Sequence, residues 1–265
     1  MTSSEASGNS VFITGATSGI GKETTALFLA KGWRVLATAR TDALAIKLHE
    51  EFDHPNLEVI TCEVHIEESC QSAIKRVLEL LPSGPNVIVN NAGFALPGAI
   101  EDVELHDAEH QLDTNLLAPA RFIQGFLPSM RKLGEGRIIN ISSVSGLVAM
   151  PFIGWYSASK FGLEAISDAL RVELMDTRIK IVIIEPTSFA SNIWSKASKQ
   201  MPSTQSHHDH YRSADRIINA RYPAPTAVAQ AIFEAATSSN PKHRYLVGKQ
   251  SRVAALLRIC LLYTS

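Results

Sequence analysis

Six short runs of apolar, largely β-branched residues recur along the chain, and they constrain its fold more than any other feature. They occupy residues 10–14, 33–39, 57–62, 86–90, 136–142 and 180–185. Segments with helical periodicity lie between them, among others over 22–32, 67–81 and 160–175. Continuous apolar strands that alternate with helices are typical of a parallel sheet covered on both faces. The sequence therefore predicts a doubly wound α/β fold with a parallel sheet of about seven strands.

The bulk composition limits the class of protein. With 265 residues and 45% hydrophobic content, the chain can bury a full core, and we expect a single domain over 1–265. The 25 basic and 26 acidic residues leave a formal net charge of −1, which gives no reason to expect nucleic-acid binding. Three cysteines without metal-type spacing favour a reducing compartment, and the cytoplasm fits best.

Three further segments bear on organisation. The polar start, MTSSEASGNS, lacks the basic and apolar regions of a secretory signal. The most apolar later segment, RVAALLRICLLY at 252–263, is shorter than the roughly 20 residues of a spanning helix, so we expect a docking helix or a subunit contact and no transmembrane span. The long irregular stretch over about 187–225 follows the sixth strand, and we expect it to form a substrate lid over the carboxyl edge of the sheet.

A glycine-rich loop directly follows the first apolar run. The segment TGATSGIG at 14–21 places Gly15, Gly19 and Gly21 between a strand and an amphipathic helix. Such glycines permit a tight turn and a close approach of the backbone to phosphate. The amides and the positive dipole end of the following helix attract a diphosphate. The loop therefore predicts a dinucleotide site.

This loop and four later motifs resemble the short-chain dehydrogenase/reductase family in order and spacing. The later motifs are NNAG at 90–93, TNLLAP at 114–119, INISSVSG at 139–146 and YSASK at 156–160. Within the family, the sequence is most similar to steroid- and retinol-type carbonyl reductases. The resemblance implies a Rossmann-type fold, a nicotinamide cofactor, hydride exchange at CH–OH or C=O groups, and a homodimer or homotetramer. It also implies that Thr17, Ser18 and Ile20 contact the cofactor together with the three glycines.

Tyr156 and Lys160 lie four residues apart, so a helix places their side chains on one face. By resemblance, Tyr156 exchanges a proton with the substrate oxygen, and Lys160 lowers the tyrosine pKa and binds the nicotinamide ribose. A phenol with an ordinary pKa of about 10 needs such a cation to ionise near neutral pH. Ser143 lies thirteen residues before Tyr156 and matches the serine that hydrogen-bonds the reacting carbonyl. Its neighbours Ser142 and Ser145 are rivals for that role.

The resemblance implies further residues on the nicotinamide side. Asn115 matches a helix asparagine that holds a water leading from Lys160 towards solvent. We expect Asn90 to be structural and the following residues to contact the cofactor: Asn91, Ala92, Gly93, Pro186, Thr187 and Ser188. Thr187 replaces the family's usual glycine, so Ser188 or Ser191 is expected to supply contacts to the carboxamide.

The end of the second apolar run favours NADP(H) over NAD(H). Ala39 stands where an NAD site would hold the ribose hydroxyls with a carboxylate. Arg40 can pair with a 2′-phosphate instead, the alternative being a surface arginine at the strand end. Asp42 lies beyond the strand and is expected to cap the next helix. By resemblance, Glu63 contacts the adenine amino group in place of the family's aspartate, with Val64 beside it.

The expected substrate is a bulky apolar ketone or secondary alcohol. Large apolar side chains are expected near the mouth of the site, some of them in the core: Phe94, Leu96, Met150, Phe152, Trp155, Phe189 and Trp194. The histidine cluster HHDHY at 207–211 has no second ligand group of suitable spacing, so no metal is predicted. Two other functions stay open, a 3-oxoacyl-thioester reductase and a non-catalytic NADP-binding sensor.

Overall fold

Seven parallel strands form one sheet in the computed structural model, which describes residues 9–187, 189, 207 and 223–248. The strands are β1 (Ser10–Ile13), β2 (Arg34–Ala39), β3 (Leu57–Thr61), β4 (Val87–Asn90), β5 (Glu135–Ile141), β6 (Arg178–Pro186) and β7 (Arg244–Val247). Their order across the sheet is β3-β2-β1-β4-β5-β6-β7. The predicted fold class is confirmed, and each of the six predicted runs forms a strand whose ends lie within two residues of the prediction.

Helices connect these strands and cover the sheet. They are α1 (Gly19–Ala30), α2 (Asp42–Phe52), α3 (Glu67–Leu80), α4 (Leu105–Leu112), α5 (Ala118–Leu133), α6 (Gly154–Glu173) and α7 (Thr226–Thr237). A π-helical segment, Asp113–Leu117, joins α4 to α5, and a short 3₁₀ turn, Val144–Gly146, follows β5. The helix predicted over 160–175 begins earlier, at Gly154, so the turn that holds Tyr156 is helical.

The core consists of two apolar layers, one on each face of the sheet. Alternate strand residues point to opposite faces: Val11 and Ile13 pack with α1 and α7, whereas Phe12 packs with α3 and α5. The ring of Phe12 lies 5.1 Å from that of Phe122 and 5.0 Å from that of Phe126. Burial of one such side chain stabilises the fold by about 1.5–3 kcal/mol. The two layers fix the sheet rigidly beneath its loops.

The order of the strands places a crevice at one edge of the sheet. The chain moves outward from β1 through β2 to β3, then returns to pair β4 with the other side of β1. The helices that follow β1 and β4 therefore cover opposite faces of the sheet, and ligands of open α/β sheets bind at such a switch point. The glycine loop follows β1, NNAG ends β4, and INISSVSG ends β5, so these three motifs meet at this edge.

One sequence expectation is wrong, and two others concern segments that are largely or wholly outside the described residues. The prediction that Asp42 caps α2 is wrong, because the cap is Thr41, whose hydroxyl accepts a hydrogen bond from the Leu44 amide at 3.4 Å. The Asp42 carboxylate instead accepts a hydrogen bond from the Thr61 hydroxyl at 2.5 Å. Most of the predicted lid and the whole of 252–263 lie outside the described residues. Within the described part of the chain, every helix is too short or too polar to cross a bilayer.

Candidate active site

The glycine loop after β1 is closely packed against the loop after β4. Gly15 and Gly19 adopt left-handed φ angles of 68° and 54°, which glycine alone adopts without strain. Gly21 leaves no room for a side chain, since an added Cβ would lie 2.3 Å from the Gly15 carbonyl oxygen. The same Cβ would lie 2.4 Å from Nδ2 of Asn91. These glycines form a cradle whose backbone a phosphate can approach.

The cradle is braced by Thr14 and Asn91. The Thr14 hydroxyl oxygen accepts hydrogen bonds from the amides of Asn91 at 3.0 Å and Ala92 at 2.9 Å. Asn91 Nδ2 donates to the carbonyls of Thr14 at 2.8 Å and Gly15 at 3.2 Å. The Asn91 side chain is thus committed to holding the loop. A buried polar group that is left unpaired costs about 1–3 kcal/mol of folding stability. These hydrogen bonds therefore hold the loop in one conformation.

The start of α1 is suited to an anion. Its first turn carries no acidic side chain, so nothing there offsets the positive end of the helix dipole. Ser18 occupies the cap position, yet within the described residues its side chain makes no capping hydrogen bond. Thr17, Ser18 and Ile20 are half-buried along the loop. The glycine cradle and this helix end together fit the diphosphate of a dinucleotide.

The adenosine end of the crevice lies between the ends of β2 and β3. Arg40 is exposed directly after β2 and makes no ion pair with another described residue. The Glu63 amide donates to the Ser69 hydroxyl at 2.9 Å, and the Val64 carbonyl accepts from the Cys70 thiol at 3.1 Å. These bonds fix the turn after β3 and leave the Glu63 carboxylate half-exposed.

Ser143 and Tyr156 bring two hydroxyls together at the end of β5. Both residues are buried, with exposed fractions of 7% and 5%. Burial raises the pKa of Tyr156 above its ordinary value, and the nearby Ser143 hydroxyl opposes that rise. The Ser143 oxygen also accepts from the Ser145 amide at 3.2 Å. Of the three candidate serines, Ser143 is therefore the one placed against the tyrosine.

Lys160 lies one turn after Tyr156 and is equally buried. Its Nζ donates to the Ile141 carbonyl at 2.8 Å and lies 5.8 Å from the centroid of the Tyr156 ring. Burial lowers the pKa of Lys160 to about 8, against the opposing charge of Glu164. The expectation that the lysine lowers the tyrosine pKa is wrong for this geometry, because desolvation dominates at Tyr156. The phenol is accordingly neutral at physiological pH.

Asn115 occupies the π-helical segment between α4 and α5. Its Oδ1 accepts from the Phe94 amide at 3.0 Å, and its Nδ2 donates to the Phe94 carbonyl at 2.9 Å. Nδ2 also donates to the Ser159 hydroxyl at 3.0 Å. A Cβ added at Gly93 would lie 3.0 Å from Asn115 Oδ1 and 3.7 Å from Lys160 Nζ, so these two groups flank the same glycine. Asn115 therefore ties α6 to the loop after β4.

The remaining predicted cofactor residues are distributed as follows. Asn90 is buried in the sheet and donates to Asn140 Oδ1 at 2.8 Å, a structural position. Pro186 ends β6. Thr187 donates its amide to the Val247 carbonyl at 3.0 Å, and its side chain packs against Gly248 at the end of β7. Ser188 and Ser191 lie outside the described residues.

The apolar residues predicted at the mouth divide between core and site. Phe189 belongs to the core layer that contains Val11 and Ile13. Leu96 is buried in a small separate cluster, against which Phe94 and Trp155 pack. Met150 is exposed, and Phe152 holds a left-handed φ of 63°, unusual for an aromatic residue. Trp194 lies outside the described residues.

The predicted histidine cluster is represented by one residue. His207 is the only described member of 207–211, and its Nε2 lies 2.8 Å from Glu101 Oε1. Among the described residues, no three side chains of the metal-binding types are grouped to hold an ion.

Sequence reasoning did not single out three of the residues that organise this site. Thr14 holds the loop after β4, the Thr38 hydroxyl accepts from the Gly15 amide at 3.1 Å, and Ser159 links Asn115 to the backbone of Tyr156. Thr14 directly precedes the glycine loop and Ser159 directly precedes Lys160, so adjacency to a motif was an available signal. Nothing in the sequence pointed to Thr38, whose contact depends on the pairing of β1 with β2.

The fold and the site define an enzyme class, an oxidoreductase that uses a nicotinamide dinucleotide at CH–OH or C=O groups. A family model described as short chain dehydrogenase matches residues 9–202, so the chain belongs to the short-chain dehydrogenase/reductase family. A solved short-chain dehydrogenase from Streptomyces avermitilis superposes with a TM-score of 0.86 at 25% identity, covering 98% of this chain and 94% of that one.

Curated relatives extend over almost the whole chain. The uncharacterized oxidoreductase YusZ of Bacillus subtilis is 33% identical, over 93% of this chain and 91% of its own length. The NADPH-dependent 3-dehydrocapnine reductase of Ornithobacterium rhinotracheale is 33% identical, over 89% and 86%. Human retinol dehydrogenase 16 is 32% identical, over 93% and 82%. The last two relatives are named for different substrates, 3-dehydrocapnine and retinol.

Proposed function

We propose that the protein is an NADP(H)-dependent reductase of bulky apolar ketones, with oxidation of the corresponding secondary alcohols as the reverse reaction. The observation that carries the proposal is the buried pair of Ser143 and Tyr156, with Lys160 one turn away, at the crevice beside the glycine loop. More specifically, we propose that the substrate resembles a steroid or a retinoid.

The chain's own groups perform the acid–base part of the reaction. A nicotinamide held by the glycine loop and Lys160 would supply the hydride that reduces the carbonyl carbon. Tyr156 donates its proton to the carbonyl oxygen, and its raised pKa suits this direction because the phenol stays protonated at neutral pH. The Ser143 hydroxyl donates to the same oxygen and stabilises its developing negative charge. Lys160 holds the nicotinamide ribose and returns a proton to Tyr156, and Asn115 orients this side of the site.

NADP(H) is the proposed cofactor. Arg40 is exposed at the end of β2 and available to a 2′-phosphate, and the preceding Ala39 offers no carboxylate for ribose hydroxyls. A guanidinium pairs with phosphate through charge-assisted hydrogen bonds of about 1.5–3 kcal/mol each. The 3-dehydrocapnine reductase among the relatives is also NADPH-dependent. We assign Glu63 and Val64 to the adenine.

An apolar substrate is favoured by the side chains next to the site. Phe94 and Trp155 are only partly buried in their cluster, and Met150 is exposed, so apolar surface remains available beside Tyr156. Retinol dehydrogenase 16 is named for an apolar alcohol, which accords with this choice.

Three further features belong to the proposal. The chain acts as one catalytic domain, with the segment over about 187–225 as its lid. It assembles as a homodimer or homotetramer through helix faces, for which α6 offers the half-buried Phe161 and Ile166 and the exposed Val172. It works in the cytoplasm, in keeping with the thiol state of Cys62 and Cys70.

Oxidation of NADPH and NADH against a panel of carbonyl compounds tests the proposal. We expect faster oxidation of NADPH than of NADH, and greater activity on bulky ketones than on small ketones or acyl thioesters. Preference for 3-oxoacyl thioesters would support the alternative thioester reductase. Tight NADPH binding without turnover on any compound would support the alternative sensor.

A further inference from the structure

A cluster of charged side chains, two of them the buried acids Glu164 and Glu185, lies beside α6 beyond Lys160. Arg244, the first residue of β7, donates from one terminal nitrogen to Glu164 Oε2 at 2.9 Å and to Asp168 Oδ2 at 2.7 Å. Its Nε donates to Glu185 Oε1 at 3.1 Å. Arg171 adds a second contact to Asp168, at 3.0 Å. The cluster joins α6, β6 and β7.

Glu164 is the member of this cluster that faces the active site. Tyr156, Lys160 and Glu164 follow one another at intervals of four residues, so they form one stripe along α6. The Glu164 side chain is 5% exposed, and its charge is therefore little screened by water. Arg244 holds one of its oxygens in place.

We propose that Glu164 is a positioning residue for the reaction: its buried carboxylate, fixed by Arg244, keeps the Lys160 ammonium protonated and directed at the site. The expected effect of Glu164 on activity rests on the proposed function, whereas its expected effect on the charge of Lys160 does not. An opposite charge one helical turn away favours the charged form of a lysine.

Glu164 is the main negatively charged group near Lys160. Burial disfavours the ammonium and the Glu164 carboxylate favours it, and with both effects present the pKa of Lys160 is lowered to about 8. The other groups that face Lys160 are neutral: the Tyr156 phenol, the Ile141 carbonyl from β5, and the Asn115 amide across Gly93.

The second buried acid of the cluster is Glu185. Burial and the charge of Glu164 raise the pKa of Glu185 to about 7. Glu185 therefore carries a proton over part of the neutral range, while Glu164 is the acid that contacts a terminal nitrogen of Arg244. The other charged neighbours, Asp168 and Arg171, pair with each other nearer the surface.

The direct test is the pKa of Lys160 in the full chain, followed by NMR of protein carrying lysine labelled at Cε and Nζ. The signal is assigned by its loss in Lys160→Met. We expect Glu164→Gln to lower the Lys160 pKa by about 1 unit. The matched control is Asp168→Asn, which removes the charge of another partner of Arg244 one turn farther away. It should leave the Lys160 pKa within about 0.2 unit of the wild type, because Asp168 lies near solvent.

Kinetic measurements show whether a failure concerns this inference or the proposed function. Reduction requires protonated groups, so kcat/KM should fall as pH rises through about 8 in the wild type. In Glu164→Gln this fall should begin about 1 unit lower. An unchanged Lys160 pKa in Glu164→Gln overturns the inference, whatever the activity. A wild type that reduces no carbonyl compound defeats the proposed function, while the NMR result still decides the role of Glu164.

Discussion

Gly21→Ala should disrupt the dinucleotide cradle at its narrowest point. The added Cβ would lie 2.3 Å from the Gly15 carbonyl oxygen and 2.4 Å from Asn91 Nδ2, whereas ordinary contacts begin at 3.4 Å. The loop must therefore move by about 1 Å, since overpacked groups separate to van der Waals distance. That movement stretches the 3.2 Å hydrogen bond from Asn91 to Gly15. Overpacking costs about 1–3 kcal/mol and the lost hydrogen bond about 1 kcal/mol, so we expect about 2–4 kcal/mol of destabilisation.

The same displacement should weaken cofactor binding, because the loop that moves is the loop that holds the diphosphate. We expect the Kd for NADPH to rise at least about 100-fold, equivalent to about 2.7 kcal/mol. Urea unfolding measures the stability, and titration of NADPH fluorescence measures the affinity.

Gly32→Ala is the matched control at the other end of α1. Its added Cβ meets nothing within 4 Å, but its φ of 75° is left-handed. It should therefore cost about 1 kcal/mol of stability from backbone strain and leave the NADPH Kd unchanged. Wild-type NADPH affinity in folded Gly21→Ala would refute the assignment of the cradle.

Three other perturbations test separate parts of the account. Ser143→Ala should lower kcat about 100-fold with NADPH Kd unchanged, because it removes a donor to the developing oxyanion; equal turnover by steady-state assay would remove Ser143 from the site. Arg40→Ala should raise the Kd for NADPH about 10- to 100-fold and leave that for NADH unchanged, by loss of charge-assisted bonds; an equal change for both cofactors would argue against a 2′-phosphate contact. The pKa of Glu185 is raised to about 7, so the stability contributed by its protonated form is present at low pH and is lost as pH rises from about 5 to 7. Urea unfolding across this range should show a smaller decline in Glu185→Gln than in the wild type, and equal slopes would contradict the assignment.

The sheet could be predicted because most of its strands are continuous apolar runs. Such a run can be recognised as a strand without knowing which strands it pairs with. β7 is the exception: a sheet of about seven strands is expected, but no apolar run in the sequence locates this strand. It spans only Arg244–Val247, and only Tyr245 within it is buried, so it lacks the long apolar run of a central strand. Its assignment depends on pairing with β6.

The site shows the same division between local and long-range information. The helical spacing of Tyr156 and Lys160 could be read from the sequence, but the pKa of Tyr156 could not, since it depends on burial by distant segments. The pairing of Glu164 with Arg244 spans 80 positions in the chain and was likewise out of reach. Motif spacing predicts which groups are near each other along one element, and packing decides their protonation.

The central claim is that the Tyr156 hydroxyl gives its proton to the substrate oxygen, and Tyr156→Phe tests it most directly. The variant removes one oxygen atom and keeps the ring that packs with Ala95 and Ile153. Single-turnover reduction of a bulky ketone by saturating NADPH should slow about 10²- to 10⁴-fold, the range for loss of a general acid, while NADPH binds with wild-type affinity. A rate equal to that of the wild type, with cofactor bound, would contradict the account.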